Sequence, residues 1–324
     1  MIVSRTPMRM SFFGGGSDFP EFFNEYGGSV ISTTFDKYCH INLRYLPPFF
    51  SHKTELFYAE TEKVMTNDEI RHPVIRNALN WLGIENICMK YDADLPARTG
   101  LGTSSSFSVG LLAALYDLTG TPYTKRKLAD DAIYLERTLC AEEGGWQDQI
   151  ACAFGGLNRI DFSGDSYTVT PLDMGLRRKE QLENSLRLYF TGLSRFSYQI
   201  HRAAGRLPGS VSDLLELKGF VDIAQSILLD GTRSLDDFGH LLNESWQIKR
   251  SLSKAVTTEL TDLLYSKAMD AGALGGKLLG AGGGGFLLLY VPQEEHESVD
   301  RAMEGFHRVD FRFEDGGSTI LLHD

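Results

Sequence analysis

The sequence predicts a mixed α/β fold of the α+β class, built in two domains. Three observations predict it. Short β-branched runs of period two and longer amphipathic runs of period 3.6 both occur along the chain. They alternate without the repeated strand–helix–strand units of a doubly wound sheet. The length of 324 residues favours two domains over one. The pattern resets around residues 172–179, which places the domains at 1–172 and 173–324.

The elements follow in order. The stretch ending in Gly14-Gly15-Gly16-Ser17-Asp18 reads as a strand and a turn with a capping aspartate. Residues 28–45 alternate through Val30, Ile31, Thr33, Thr34, Ile41 and Leu43 and read as strand, turn, strand. Helical spacing runs over 64–82 through Ile70, Val74, Ile75, Ala78 and Leu82, despite Pro73. A strand is expected at 87–91. A helix is expected at 104–118, with Phe107, Leu111, Leu112, Leu115 and Leu118 on one face. A second helix covers 128–140, and short strands cover 160–162 and 167–169. Beyond the boundary, 186–190 reads as a strand, and 211–229, 235–252 and 258–271 read as helices, the last stopped by Gly272. Residues 286–291 form a buried strand and 294–306 a final helix. No internal repeat or low-complexity tract is present.

A formal net charge of −11 argues against nucleic acid or an anionic membrane as the main partner. A phosphorylated ligand would have to be held by local features against the global field. Glycine is enriched at 33 residues against 10 prolines, which suggests tight functional loops rather than disorder. Cys39, Cys88, Cys140 and Cys152 have no Cys-x-x-Cys spacing and read as reduced thiols. The eight histidines form no zinc pattern. The N-terminus lacks a signal-peptide core, and no apolar run approaches the ~20 residues of a membrane helix. The expectation is a soluble cytoplasmic protein.

Three glycine-rich segments have the chemistry of a polyphosphate cradle, because glycine lets backbone N–H groups approach an anion closely. They span residues 7–18, 96–106 and 275–286. In the middle one a strand leads into Gly100-Leu101-Gly102, and Thr103-Ser104-Ser105-Ser106 opens an amphipathic helix. That helix N-terminus offers free N–H groups and partial positive charge. Its hydroxyls can cap the helix, bond phosphate or ligate Mg²⁺. Taken alone, it fits an ordinary Ser/Thr cap equally well. The last segment matches G-x-G-x-x-G at Gly280, Gly282 and Gly285. A helix precedes it and a strand follows, the reverse of a dinucleotide loop. Lys277 is followed by leucine, so it is not a Walker loop either. In the first segment Arg9 and Asp18 could share one pocket. Asp148, set between Trp146 and the apolar Ile150–Phe154 run, reads as buried and partnered.

Together these segments resemble the galactokinase, homoserine kinase, mevalonate kinase and phosphomevalonate kinase (GHMP) superfamily, in the right order and over essentially the whole chain. The resemblance implies a ribosomal-protein-S5-like N-terminal domain and a ferredoxin-like C-terminal domain. It implies ATP and Mg²⁺ as cofactors, with Gly100, Leu101, Gly102, Thr103, Ser104, Ser105 and Ser106 as the nucleotide phosphate loop. Ser104 and Glu136 would be the metal ligands. Asp148 would face the acceptor hydroxyl with Arg9 beside it. Gly15, Gly16, Ser17, Asp18, Gly283, Gly284 and Arg195 would contact the sugar. The motifs Gly14-Gly-Gly-Ser-Asp18 and Gly145-Trp-Gln-Asp-Gln149, with Leu188–Arg195, are most similar to heptose kinases acting on D-glycero-D-manno-heptose 7-phosphate at the anomeric oxygen. Phe12-Phe13 and Arg98-Thr99 replace the small residues of that pattern and would lie against the ligand. A remote sugar phosphate would need cations, for which Arg98, Arg195, His201 and Arg202 are candidates. Other readings are a galactokinase- or fucokinase-like sugar-1-kinase acting on a free hexose, a decarboxylase on the same scaffold, and a non-catalytic sugar and ATP sensor. The expected partners are sugar and ATP, with no nucleic acid and no membrane, in a monomer or homodimer.

Overall fold

The computed structural model describes residues 1–97, 99–192, 207–253, 256–280 and 282–324. Arg98, Arg195, His201 and Arg202 lie outside the described residues.

The first unit is a nine-stranded sheet centred on β1 (Ile2–Phe13) and β2 (Gly28–Tyr45), which pair antiparallel. The expected strand–turn–strand at 28–45 is one strand. Its register jumps from Phe35 opposite Met8 to Tyr38 opposite Pro7, so Asp36 and Lys37 bulge out. Proline has no N–H for the ladder, and a bulge is the usual accommodation. The far edge of β2 is shared along its length. Its C-terminal half pairs with β5 (Ile87–Ala93) and its N-terminal end with β6 (Asn158–Ser163), which continues to β7 (Ser166–Pro171). Strand β3 (Thr54–Phe57) runs parallel to β5 and pairs with β4 (Thr61–Val64).

Among the described residues five helices belong to this unit: α1 (Pro20–Tyr26), α2 (Pro73–Leu82), α3 (Thr103–Thr119), α4 (Lys125–Ile133) and α5 (Gln147–Phe154). The helix expected from residue 64 starts at Pro73, which occupies its first turn; Val64 ends a strand. Proline fits the first turn because its missing N–H has no partner there anyway. Helix α3 is buried on nearly every side rather than along one face, because it lies between the sheet and α4 and α5. The helix expected over 128–140 ends at Ile133 and continues as a π-helical turn, Tyr134–Leu139.

The second unit is a four-stranded antiparallel sheet in the order β11 (His307–Val309), β8 (Leu186–Phe190), β10 (Phe286–Tyr290), β9 (Gly275–Leu278). It carries α6 (Leu176–Ser185), α7 (Val211–Leu229), α8 (Asp236–Leu252), α9 (Glu259–Asp270) and α10 (His296–Ala302). The last glycine segment therefore joins two antiparallel strands, because β9 stands between the preceding helix and the glycines. The helix expected over 294–306 is the short α10, and its tail is β11. After β11 the chain returns to the first unit. There β12 (Phe313–Glu314) pairs with β2 and β13 (Thr319–His323) with β1, although both strands fall in the half expected to be the second domain.

One apolar cluster joins the units. Met8, Met10, Phe12 and Phe13 of β1 pack with Val221 of α7, Phe238 of α8 and Tyr290 of β10. Phe12 and Phe13 are both fully buried, with rings 5.4 and 5.1 Å from that of Phe238 at near-perpendicular angles. Adjacent strand residues normally face opposite sides. A register shift between Ser11 and Phe13 turns both inward. These phenylalanines thus pack the junction and do not meet the ligand site, which corrects the expectation from sequence. Burial of each stabilises the junction by roughly 1.5–3 kcal/mol.

Candidate active site

A cleft of about 1280 Å³ opens between the two units. That exceeds the ~300–1,000 Å³ of a typical single-ligand pocket, so two ligands can lie side by side. At its centre Arg9, only 4% exposed, makes a two-pronged ion pair with Asp148. Nε donates to Oδ1 and Nη2 to Oδ2, both at 2.7 Å. The remaining arm, Nη1, donates to the Gly100 carbonyl at 2.6 Å. Arg9 N–H also donates to the Leu101 carbonyl at 3.0 Å. Strand β1 and the middle glycine loop are thereby fixed to each other through one side chain. Asp148 stands in the first turn of α5, where the helix dipole favours a carboxylate.

On one side of this pair is the N-terminus of α3. Gly102 holds the N-cap position in the left-handed region at φ 70°, and no side chain caps the helix. The first-turn N–H groups therefore point into the cleft lined by Thr103, Ser104 and Ser105. Ser104 is exposed there. Ser105 donates to Glu136 Oε2 at 3.1 Å, and Gln149 donates to the same oxygen. Glu136, 1% exposed, sits in the π-helical turn with its other oxygen, Oε1, buried and without a protein partner. A carboxylate oxygen without a partner and an exposed hydroxyl lining the same cleft would suit a Mg²⁺ ion, which takes one or two protein oxygens and completes its shell with other oxygen ligands.

On the other side is the turn from Gly14 to Asp18. Asp18, 1% exposed, accepts from Gly16 N–H at 2.9 Å and from Gln147 N–H at 3.3 Å. Burial pushes its carboxyl above the usual range, and the charge of nearby Asp148 pushes it further. Gly145 makes this contact possible, since a Cβ there would fall 1.8 Å from Asp18 Oδ2. Gly145→Ala is expected to push Asp18 and the Asp148 segment apart and to lower kcat/KM about 100-fold. Steady-state kinetics beside a thermal melt checks this; a variant with unchanged kcat/KM would refute the coupling.

The cleft also receives Gly15, Gly16 and Gly280. Other residues of the motifs build the walls. Ser17 is buried and spends its hydroxyl on the Gly14 and Ser29 carbonyls. Leu101 is core, and Ser106 donates to the Thr6 carbonyl. Gly283 and Gly284 lie behind the wall, with Gly283 N–H bonded to the Val256 carbonyl. The last glycine segment works by close backbone packing on the middle one. A Cβ on Gly280 would come within 2.3 Å of Gly100 Cα, and one on Gly285 within 2.2 Å of the Thr99 carbonyl oxygen.

Sequence reasoning missed two groups of lining residues. Lys277 donates to the Phe12 carbonyl at 2.7 Å, and Lys249 in the last turns of α8 donates to the Gly280 carbonyl at 2.6 Å. Lys277 stood inside the third motif and could have been singled out; nothing in the sequence marks Lys249. The second group is aromatic. Tyr58, His72, Phe107 and Tyr91 form a chain with ring centroids 5.2, 5.1 and 5.1 Å apart. These residues come from four separate elements, so no local pattern announces them.

Comparison with known proteins gives two family matches. Residues 70–156 match the GHMP kinases N terminal domain and residues 224–308 match the GHMP kinases C terminal domain. The chain is 28% identical over 329 residues to a D-glycero-alpha-D-manno-heptose 7-phosphate kinase of Campylobacter jejuni, covering 96% of each chain. It is 26% identical to a bifunctional fucokinase/GDP-fucose pyrophosphorylase of Arabidopsis thaliana, over 89% of this chain and 30% of that one. Among solved structures, a D-glycero-D-manno-heptose 1-phosphate kinase from Bacteroides thetaiotaomicron superposes with a TM-score of 0.81 at 24% identity, covering 100% of both chains. A galactokinase from Lactococcus lactis gives 0.71 at 19% identity, over 98% of this chain and 94% of that one.

Proposed function

The chain belongs to the GHMP kinases, phosphotransferases that act on an alcohol group, and on that premise we propose that it phosphorylates the anomeric hydroxyl of a sugar at the expense of ATP. The acceptor is D-glycero-D-manno-heptose 7-phosphate, and the product is the 1,7-bisphosphate on the route to nucleotide-activated heptose. The observation that carries the reading is the Arg9–Asp148 pair at the centre of a cleft with room for two ligands. The same cleft is lined by Thr103, Ser104, Ser105 and Glu136, which this reading gives to phosphate and cation, and by Gly15, Gly16 and Asp18, which it gives to the sugar. The sugar is supported by the 28% identity to the Campylobacter heptose 7-phosphate kinase along nearly the full length of both chains.

In this reading the N–H groups of Thr103, Ser104 and Ser105 receive the nucleotide phosphates. Tyr58, His72, Tyr91 and Phe107 wall the end that takes the base. Glu136 Oε1 and the Ser104 hydroxyl would hold Mg²⁺, which would supply neutralisation of phosphate charge. Asp18 orients sugar hydroxyls. Asp148 Oδ accepts the proton of the anomeric hydroxyl as the oxygen attacks phosphorus, and Arg9 stabilises the charge on the transferring group. The setting is cytoplasmic.

Glu136→Gln is expected to raise the Mg²⁺ concentration for half-maximal rate at least about tenfold. A magnesium titration at saturating ATP checks this, and an unchanged midpoint would remove Glu136 from the ligand set. The acceptor is tested by coupled ADP release with a panel of free and phosphorylated heptoses and hexoses. The fucokinase relative supports a second reading, a free deoxyhexose as acceptor, and the same panel separates the two. ADP release with fucose or galactose and none with the heptose phosphate would overturn the first reading.

A further inference from the structure

We propose that Lys249 and Lys277 form the subsite for a phosphomonoester carried by the acceptor, away from the hydroxyl that reacts. This rests on the sugar-kinase reading above and supplies the cations that reading requires. Lys277 is 5% exposed and Lys249 is partly buried, and both line the cleft. Each ammonium has three N–H donors, and each spends one on a backbone carbonyl. Among the described residues neither forms an ion pair with a carboxylate. The two arginines of the lining give no relief: both prongs of Arg9 are taken by Asp148 and its third arm by Gly100, and Arg137 donates to the Glu143 and Gly145 carbonyls. Unpaired ammonium groups set side by side and withdrawn from water are costly unless a counter-charge arrives with a ligand. In a chain of net charge −11 this local cluster is what a dianion would meet.

Their location assigns them to the acceptor rather than to ATP. Lys277 is anchored on Phe12, two residues before the Gly14–Asp18 turn. Lys249 lies on the helix whose Ser245 also lines the cleft. Leu214 and Pro208 of the same unit close on Gly16 of that turn, where a Cβ would come within 2.8 and 3.1 Å of them. Among the described residues neither lysine bonds to Glu136 or to the α3 N-terminus. The electrostatics agree with this placement. Burial, then Arg9, lowers the Lys249 ammonium to about 8, with Asp18 as the opposing influence. Burial, then Lys249 and Arg9, also lowers Lys277 well below the ordinary lysine range. Among the described residues Arg9, Asp18 and Lys277 are the charged groups that face Lys249, with Asp148 tied up by Arg9.

The test compares a phosphorylated sugar and its unphosphorylated form in wild type, Lys249→Met and Lys249→Arg. Lys249→Met is expected to raise KM for the phosphorylated acceptor about 10- to 100-fold, the weight of one charge-assisted hydrogen bond. KM for ATP and kcat/KM for the unphosphorylated sugar should stay within about threefold, and Lys249→Arg should recover part of the loss. Calorimetry without ATP gives a second reading. Near pH 8 the phosphorylated sugar should draw protons onto the wild-type protein, seen as a binding enthalpy that varies with buffer ionisation heat, and the unphosphorylated sugar should not. Lys249→Met losing kcat equally with both acceptors, or losing ATP affinity, would show that the lysines serve the transferring phosphoryl group and overturn the assignment. A wild-type preference for the unphosphorylated sugar overturns the substrate reading and this subsite together. A preference for the phosphorylated sugar that survives Lys249→Met overturns the subsite alone.

Discussion

Asp148→Asn is expected to leave a folded protein whose kcat has fallen about 10²- to 10⁴-fold, the range a positioned general base contributes. The amide has the volume of the carboxylate and keeps an oxygen for one prong of Arg9, so the first-turn geometry of α5 survives. It cannot take up a proton, and it gives up the second prong. Arg9 then carries an unmatched charge in a site where it is almost wholly buried. Part of that cost is relieved by solvent, since the Asp148 side chain is 25% exposed toward the cleft. The expected signature is therefore a modestly lower unfolding temperature with near-total loss of turnover. KM for ATP should hardly move, because the residues proposed to receive the nucleotide are untouched. Single-turnover measurement separates this from slow product release. Turnover within a few-fold of wild type would exclude Asp148 as the acceptor of the proton.

Arg9→Lys is expected to lower kcat about 10²- to 10³-fold despite the retained charge, as for loss of one preorganised donor at a developing charge. Arginine makes three directed bonds here, two to Asp148 and one to the Gly100 carbonyl. A lysine ammonium cannot reproduce a planar fork. It would reach either Asp148 or Gly100, and the tie between β1 and the middle glycine loop would loosen. Because Gly280 packs directly on Gly100, slack there reaches the third glycine segment as well. Both kcat and KM for ATP should therefore worsen, which distinguishes Arg9→Lys from Asp148→Asn. Steady-state kinetics at saturating magnesium decides it. A lysine variant within fivefold of wild type would mean that charge alone suffices at this position.

Much of this architecture was legible in the chain. The second unit's strand over 186–190 and helix over 211–229 coincide with the sequence expectation, because their apolar patterns are strong and their caps clear. The two-unit mixed fold was legible too. Boundaries failed where tertiary pairing overrode local pattern. The bulge at Asp36-Lys37 looks like a turn in sequence, and the π-helical turn that presents Glu136 looks like more α-helix. Strands β12 and β13 gave no signal of their return to the first sheet, since their partners lie some 280 to 320 residues away. Arg9, Asp18 and Asp148, which line the cleft, sit in motifs with unusual local composition and were readable, whereas Glu136 was singled out only through the family resemblance. Ser17 and Ser106 share that composition yet serve the backbone around them. Phe12 and Phe13 were misassigned to the ligand because sequence adjacency to a glycine loop does not reveal which face of β1 they take. Lys249 shares the cleft with the glycine motifs only after folding.

The other predictions depend on the proposed transfer of phosphate from ATP to an anomeric oxygen. It is tested most directly by phosphorus NMR of the purified protein incubated with ATP, Mg²⁺ and D-glycero-D-manno-heptose 7-phosphate. The expected result is ADP and one new phosphomonoester signal, coupled to the anomeric proton of the sugar, in equal amounts, with the original 7-phosphate signal retained. A new phosphate coupled to any other sugar proton, or ADP appearing with inorganic phosphate alone, would contradict it.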